Sequence, residues 1–270
     1  MDEVRIIQLR DWFAAIAQEN DLTFQSVQKM KQIFGRIYAY GAENELIAPT
    51  LNPVRSCNIK GIGKKSRSQV IVVSPQVALK IAMALSPLHK TLVLMAAGTG
   101  MRISELLGLQ WGDIDWTAKR LNLRRTWLGY EGEGKTEASR KPVEMGARIV
   151  EFLRDWHRET PYSGNEDWVF ASFKLKGARP ISGSQFVKDH LRPRFVEHGL
   201  IEASYTGRAG LHAFRHSLAT VLITEESVDP STAQGILRHA SSGITMDVYT
   251  HAQVAQKRSA LEKYETRMVQ

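Results

Sequence analysis

The stretch GYEGEGKTEASRKPVEM, Gly129 to Met145, has two readings, and they lead to different folds. Gly129, four residues, then Gly134-Lys135-Thr136 spells the G-x-x-x-x-G-K-[ST] of a nucleotide-binding P-loop. A P-loop needs a strand feeding a glycine-rich turn, and a helix that begins at the Lys-Thr pair and points its positive end at the phosphates. Here Pro142 would fall in the second turn of that helix, where its missing N–H and its ring are badly tolerated. Glu131 and Glu133 would set two carboxylates in a loop meant for polyphosphate. No hydrophobic strand ending in a metal-binding Asp follows. The flanks RLNLRRTWL (Arg120 to Leu128) and KPVEM (Lys141 to Met145) read instead as two strands joined by a turn. Lys135 is then expected near a hairpin tip, and an ATPase or GTPase is set aside.

Bulk properties bound the rest. A chain of 270 residues suits one large or two smaller domains, and 43% hydrophobic residues can fill a core. No apolar run reaches membrane-spanning length, and Met1-Asp2-Glu3 does not open a signal peptide. Cys57 is the single cysteine, so neither an internal disulfide nor a cysteine-based metal cluster is expected; this usage fits a reducing, cytoplasmic setting. The net charge of +8 favours a polyanionic partner, nucleic acid above all.

Apolar residues recur at helical spacing over Val4 to Ala17 (Ile7, Trp12, Phe13, Ile16) and Phe24 to Tyr40 (Val27, Met30, Ile33, Phe34, Ile37). Lys29, Lys31 and Arg36 lie along the second helix, either as a DNA-facing set or as a solvated face. Asn52-Pro53 is expected to end this module. A linker with Lys60, Lys64, Lys65 and Arg67 follows, and these basic residues are further candidates for DNA contact. The expected division is a partial all-α DNA-binding module over 1–54, a basic linker over 55–68, and a second domain over 69–270. A short strand is expected over Val70 to Val73, after which Ser74-Pro75 opens a helix with serine as N-cap. Further helices are expected at about 75–86, 88–98, 103–108, 147–158, 183–197, 212–225, 230–238 and 252–267, and strands at 112–116, 119–128 and 139–145. Consecutive strands among many helices indicate an α+β, mostly helical class with a small three-stranded antiparallel sheet.

Four stretches then stand out: GTGMRISELLGLQWGDID (Gly98 to Asp115), the lysine turn, LHAFRHSLAT (Leu211 to Thr220) and GILRHASSGITMDVYTH (Gly235 to His251). Together, in this order and at these separations, they resemble the tyrosine recombinases, the phage-integrase family of site-specific DNA strand exchangers. The resemblance implies a role for each matching residue. Arg102 matches the first catalytic arginine and Glu105 the acid that buttresses it. Lys135 matches the lysine of the strand-turn-strand, His212 and Arg215 the H-x-x-R pair, His239 the histidine before the last segment, and Tyr249 the nucleophile. The chemistry is consistent with those roles. Guanidinium forks suit a phosphate gathering negative charge. His212 and Arg215 are three apart on one helix and project from one face. A tyrosine with a pKa of about 10 benefits from a base, for which His212 is the natural candidate. Lys135 is suited to protonate the departing 5′ oxygen, with Lys119 and Lys141 as local rivals, and His239 can donate to a phosphate oxygen.

Each residue also has a plainer reading. Arg102 and Glu105 could be a structural ion pair, His239 an ordinary surface or core histidine, and Tyr249 ordinary packing. His212 and His216 are four apart, but with no H-E-x-x-H glutamate and no nearby cysteine a metal is not expected. The resemblance implies no cofactor, double-stranded DNA as partner, a monomer or weak oligomer when free, a homotetramer on paired sites, and accessory directionality factors. Rival activities are a type IB topoisomerase-like strand transferase and an inactive DNA-binding regulator. Two departures stand out. Arg238 occupies a position where many relatives carry glycine, and its side chain either joins phosphate contacts or faces solvent. Val4 to Pro53 resembles only the later part of the family's helical core-binding domain, so a truncated or unusually short member with weaker core-DNA binding is expected. The helix over Ala252 to Met268 is expected to pack on a neighbouring subunit.

Overall fold

The computed structural model describes residues 4–48, 52–63, 71–132, 141–226 and 228–238. The chain divides into two compact units, Met1–Gln69 and Val70–Gln270, each with its own apolar core.

The first unit is helical among its described residues. Helix α1 (Ile6–Glu19) buries Leu9, Phe13 and Ala17 at i, i+4, i+8. Helix α2 (Phe24–Glu43) starts at Thr23, whose hydroxyl accepts from the Ser26 N–H. Trp12, Phe13 and Phe34 pack ring against ring, with centroids 5.0 to 5.9 Å apart. Asn52-Pro53 does not end the module as expected. Asn52 caps a short helix α3 (Pro53–Ser56) that packs on both α1 and α2 and adds buried Val54 to the same core. Apolar spacing could not reveal a single turn of helix.

In the second unit, the expected strand over Val70 to Val73 is a correction. Its described residues, 71–73, pair with no strand. Ile71 and Val73 are buried, and the Val73 N–H donates to the Ser217 hydroxyl at 2.7 Å, so the segment is docked by a side chain rather than by a neighbouring strand. Helix α4 (Pro75–Met83) begins where Ser74 accepts from the Val77 N–H. Helix α5 (Pro87–Thr99) buries residues on all sides, including Leu88, Leu92, Val93, Met95 and Ala96, and forms the centre of the unit. It stops at Gly100, which takes φ +61. A Cβ there would sit 2.7 Å from Leu237 Cδ2, so both backbone and neighbour demand glycine. Helix α6 (Ile103–Leu107) follows at once.

Among the described residues the strands are short, and they correct the sequence expectation in detail. Strands β1 (Ile114–Asp115), β2 (Arg120–Leu121) and β5 (Val143–Glu144) form a three-stranded antiparallel sheet in the order β1-β2-β5. The register pairs Ile114 with Leu121, and Leu121 with Val143. The expected strand 112–116 starts as a 3₁₀ turn, Trp111–Asp113, because the Asp113 carboxylate accepts from the Gln110 N–H at 3.0 Å. The expected strand 119–128 is not continuous. Lys119 turns through φ +54. Beyond Leu121, Arg124 and Arg125 converge on buried Asp113, at 3.5 and 2.9 Å, and draw the chain out of the sheet. A separate hairpin then forms from β3 (Thr126–Trp127) and β4 (Glu131–Gly132), with Gly129 at its tip at φ +92. Glu131-Gly132 is therefore strand where a P-loop would need its phosphate-wrapping turn. This tip precedes Lys135, which lies outside the described residues.

Helix α7 (Ala147–Glu159) turns Val150, Leu153 and Trp156 inward, and the Trp156 indole N–H donates to the Val169 carbonyl at 2.7 Å. The expected helix 183–197 is continuous but is α (α8, Gly183–Phe186), then a π-helical stretch (Val187–Leu191), then α again (α9, Arg192–Glu197). Helices α10 (His212–Thr224) and α11 (Pro230–Leu237) complete the described unit, the latter capped by the Asp229 carboxylate. The expected helix over 252–267 lies outside the described residues. No helix among the described residues is long and apolar enough to cross a membrane.

Candidate active site

Three segments far apart in sequence meet at the end of α5. The first is the N-terminus of α6. Arg102 is its N-cap, and Glu105, three residues on, folds back so that its carboxylate accepts from the Arg102 backbone N–H at 2.9 Å and from Arg102 Nη1 at 2.8 Å. This is the glutamate half of a capping box, since the guanidinium in the cap position has no acceptor to offer the helix. Its two members differ in access. The Arg102 side chain is 38% exposed and that of Glu105 is 2% exposed. A ligand can reach the guanidinium but not the carboxylate.

The second segment is α10, which starts at His212. Arg215 follows one turn later and is buried; its guanidinium donates to the Gly100 carbonyl and to the Leu237 carbonyl. One side chain thus clasps the end of α5 and the end of α11. Burial, and next the Arg102 charge, lower the Arg215 pKa to about 10, which still leaves it cationic at neutral pH. His212 sits at the exposed rim of the same face, its ring edge-on to His216 with centroids 4.6 Å apart. Desolvation by surrounding protein, then the charges of His216, Arg215, Arg102 and Arg208, lower the His212 pKa to about 4. The imidazole is neutral at pH 7 and free to accept a proton.

The third segment is the end of α11. Arg238 takes φ +53 and ψ +47, is buried, and places Nη2 2.7 Å from Glu105 Oε2. This corrects both readings offered from sequence, since the side chain neither faces solvent nor reaches outward. The burial of Glu105 would raise its pKa. The Arg238 charge and the hydrogen bonds from Arg102 and Arg238 outweigh that and hold it below the ordinary carboxylate range.

Arg102, Glu105, His212 and Arg215 are therefore brought together. Lys135, His239 and Tyr249 lie outside the described residues, as do Lys64, Lys65 and Arg67. Of the other basic residues singled out, Lys29, Arg36 and Lys60 are exposed on the first unit, while Lys31 donates its ammonium to the Cys57 carbonyl at 2.6 Å. The parts played by two residues were not legible in the sequence. Arg238 carried a signal only as a departure from glycine. Arg208, an exposed cation felt by His212, carried none. Among the described residues no group of three His, Cys, Asp or Glu converges as metal ligands would. A separate cleft of about 920 Å³, lined among others by Trp127, Arg179, Gln185 and His190, does not include the cationic cluster.

Residues 74–256 match the family model described as the phage integrase family. The chain is 26% identical to the "Tyrosine recombinase XerC-like" protein of Caldanaerobacter subterraneus subsp. tengcongensis, over 96% of this chain and 70% of that one. It is 30% identical to tyrosine recombinase XerC of Proteus mirabilis, over 74% of this chain and 60% of the relative. Among solved structures it resembles the Tn1549 transposon integrase in complex with a circular intermediate DNA, with TM-score 0.77, 18% identity, and coverage of 97% of this chain and 86% of that one. It also resembles a lambda integrase dimer bound to a core site, with TM-score 0.63, 16% identity, and coverage of 92% and 81%. At those identities the structural likeness speaks to fold alone.

Proposed function

The chain belongs to the phage integrase family of tyrosine recombinases, which are DNA strand-exchange enzymes, and from that premise we propose that it cleaves and rejoins DNA through Tyr249. The Tyr249 oxygen attacks a backbone phosphorus, a 3′-phosphotyrosyl ester forms, the bond from phosphorus to the 5′ oxygen breaks, and that oxygen leaves as a hydroxyl. His212, neutral at pH 7, accepts the phenol proton; Lys135 supplies the proton for the leaving oxygen. Arg102, Arg215 and His239 stabilise the charge gathering on the phosphate oxygens. A 5′ hydroxyl from a partner strand reverses the step. The ester conserves the energy of the bond it replaces, so the cycle is isoenergetic and consumes no nucleotide. One observation carries this reading: an accessible guanidinium, a buried carboxylate, a neutral imidazole and a buried guanidinium gather from distant parts of the chain at one face.

Double-stranded DNA is the proposed partner, with a monomer or weak oligomer when free and a homotetramer on paired sites during integration or excision of a mobile element. The helical unit is proposed as a core-binding module that tracks the phosphate backbone through Lys29, Arg36 and Lys60. The test is a nicked suicide duplex carrying the native site, resolved by denaturing electrophoresis. Wild type is expected to trap a covalent protein–DNA band, and Tyr249→Phe none. A persistent band in the phenylalanine variant would remove Tyr249 as nucleophile. Four-way junctions from two sites are expected, and relaxation of supercoils without junctions would indicate a type IB topoisomerase-like enzyme.

A further inference from the structure

Arg238 sits in a costly place for an arginine. Its φ of +53 lies in the left-handed region, which crowds a residue that carries a Cβ and favours glycine. Its side chain is also 2% exposed, so a permanently charged group has been taken out of water. Glu105 is the carboxylate that offsets this. One carboxylate oxygen accepts from Arg102 Nη1; the other accepts from the Arg102 N–H and from Arg238 Nη2. Two guanidiniums therefore share one buried carboxylate, and they differ in access: Arg102 is partly exposed, while Arg238 is enclosed. The same turn supplies the Leu237 carbonyl to Arg215, so the end of α11 touches Arg215 directly and is linked to Arg102 through Glu105.

Building on the reading of Arg102 as a phosphate clamp, we propose that Arg238 is a positioning residue for strand cleavage: it fixes the Glu105 carboxylate, and Glu105 fixes the Arg102 guanidinium. With Arg238 in place the carboxylate cannot turn away with Arg102, because its second oxygen is held from behind. Replacement by glycine suits the left-handed backbone yet deletes the second cation, which separates the side chain's role from that of the turn.

The experiment is a double-mutant cycle on the suicide duplex, with first-order cleavage rates measured at saturating DNA for wild type, R238G, R238K, E105Q and R238G/E105Q. DNA affinity and thermal unfolding are recorded for each. R238G is expected to cleave about 10- to 100-fold more slowly than wild type, the scale at which a small misplacement acts, with unchanged DNA affinity. R238K, which keeps the charge but not the fork, should fall between them. R238G/E105Q should be no slower than the slower single variant, because both remove one linkage. A second readout concerns pH. The charged groups facing Glu105 among the described residues are Arg102, Arg215 and Arg238, and loss of Arg238 raises its pKa, so the acid limb of the cleavage rate moves to higher pH in R238G. Should R238G fail to fold, R238K and R238K/E105Q complete the cycle. Wild-type cleavage by R238G, or losses that simply multiply in the double variant, overturn the proposal. A wild-type protein that forms no covalent adduct overturns the strand-cleavage reading itself, and this proposal with it.

Discussion

At the scale of single residues, two histidines of the second unit show how surrounding protein disfavours their charged form. His212 and His89 each have a pKa lowered from 6.5 to about 4, His89 first by burial and then by His190, whose ring lies 4.3 Å away. The unfolded chain takes up these protons before the folded one does, so the stability each neutral imidazole contributes is full above about pH 6.5 and is lost as pH falls toward 4. His89→Asn, which cannot charge, is expected to lose less melting temperature than wild type on acidification across that window, as read by circular dichroism. For His212 the same neutrality matters for chemistry. His212→Gln is expected to slow cleavage by about 10²- to 10⁴-fold, the usual range for a lost proton acceptor, while DNA affinity measured by mobility shift stays unchanged. That Arg102 and Glu105 are a pair was readable from their spacing. That Arg238 completes it was not, because the partners are separated by 133 residues and only burial brings them together.

At the scale of elements, three ends meet: the C-terminus of α5, the first turn of α10 and the C-terminus of α11, joined by the Arg215 guanidinium. Gly100 is the point where this junction has no room. Gly100→Ala must place a Cβ in the left-handed region and against Leu237 and Leu218, and is expected to cost about 1–3 kcal/mol in denaturant unfolding. Leu92→Ala, at a fully buried position in the middle of α5, is expected to cost about 2–5 kcal/mol. Helices with a cap, such as α2 and α4, or with a periodic apolar face, such as α7, could be read from sequence to within a few residues. The strands could not. Leu121, Leu123, Thr126 and Trp127 look like one run, but Arg124 and Arg125 turn toward Asp113, and a pairing of two residues leaves no periodic trace.

At the scale of the whole molecule, a net charge of +8 makes DNA binding dependent on salt. If Lys29 and Arg36 contact phosphates, Lys29→Ala and Arg36→Ala should each flatten the slope of log affinity against log salt by about one unit. Lys31→Ala should act differently, since its ammonium ties α2 to the Cys57 carbonyl. Its expected effect is a stability loss of about 1–3 kcal/mol in denaturant unfolding, from a carbonyl left unpaired.

The sequence by itself determined the class of protein, because the order and spacing of Arg102, Glu105, Lys135, His212, Arg215, His239 and Tyr249 form a pattern along the chain. It also determined where α4 and α11 begin, because the caps Ser74 and Asp229 are local. Only the tertiary structure decided what each charge is doing. It sent Arg102 outward and Arg215 to two carbonyls, enclosed Arg238 behind Glu105, and left Arg208 exposed near His212. The reason is physical: a residue's type fixes its charge, but whether that charge meets water, a carbonyl or a carboxylate depends on which distant segment is packed against it.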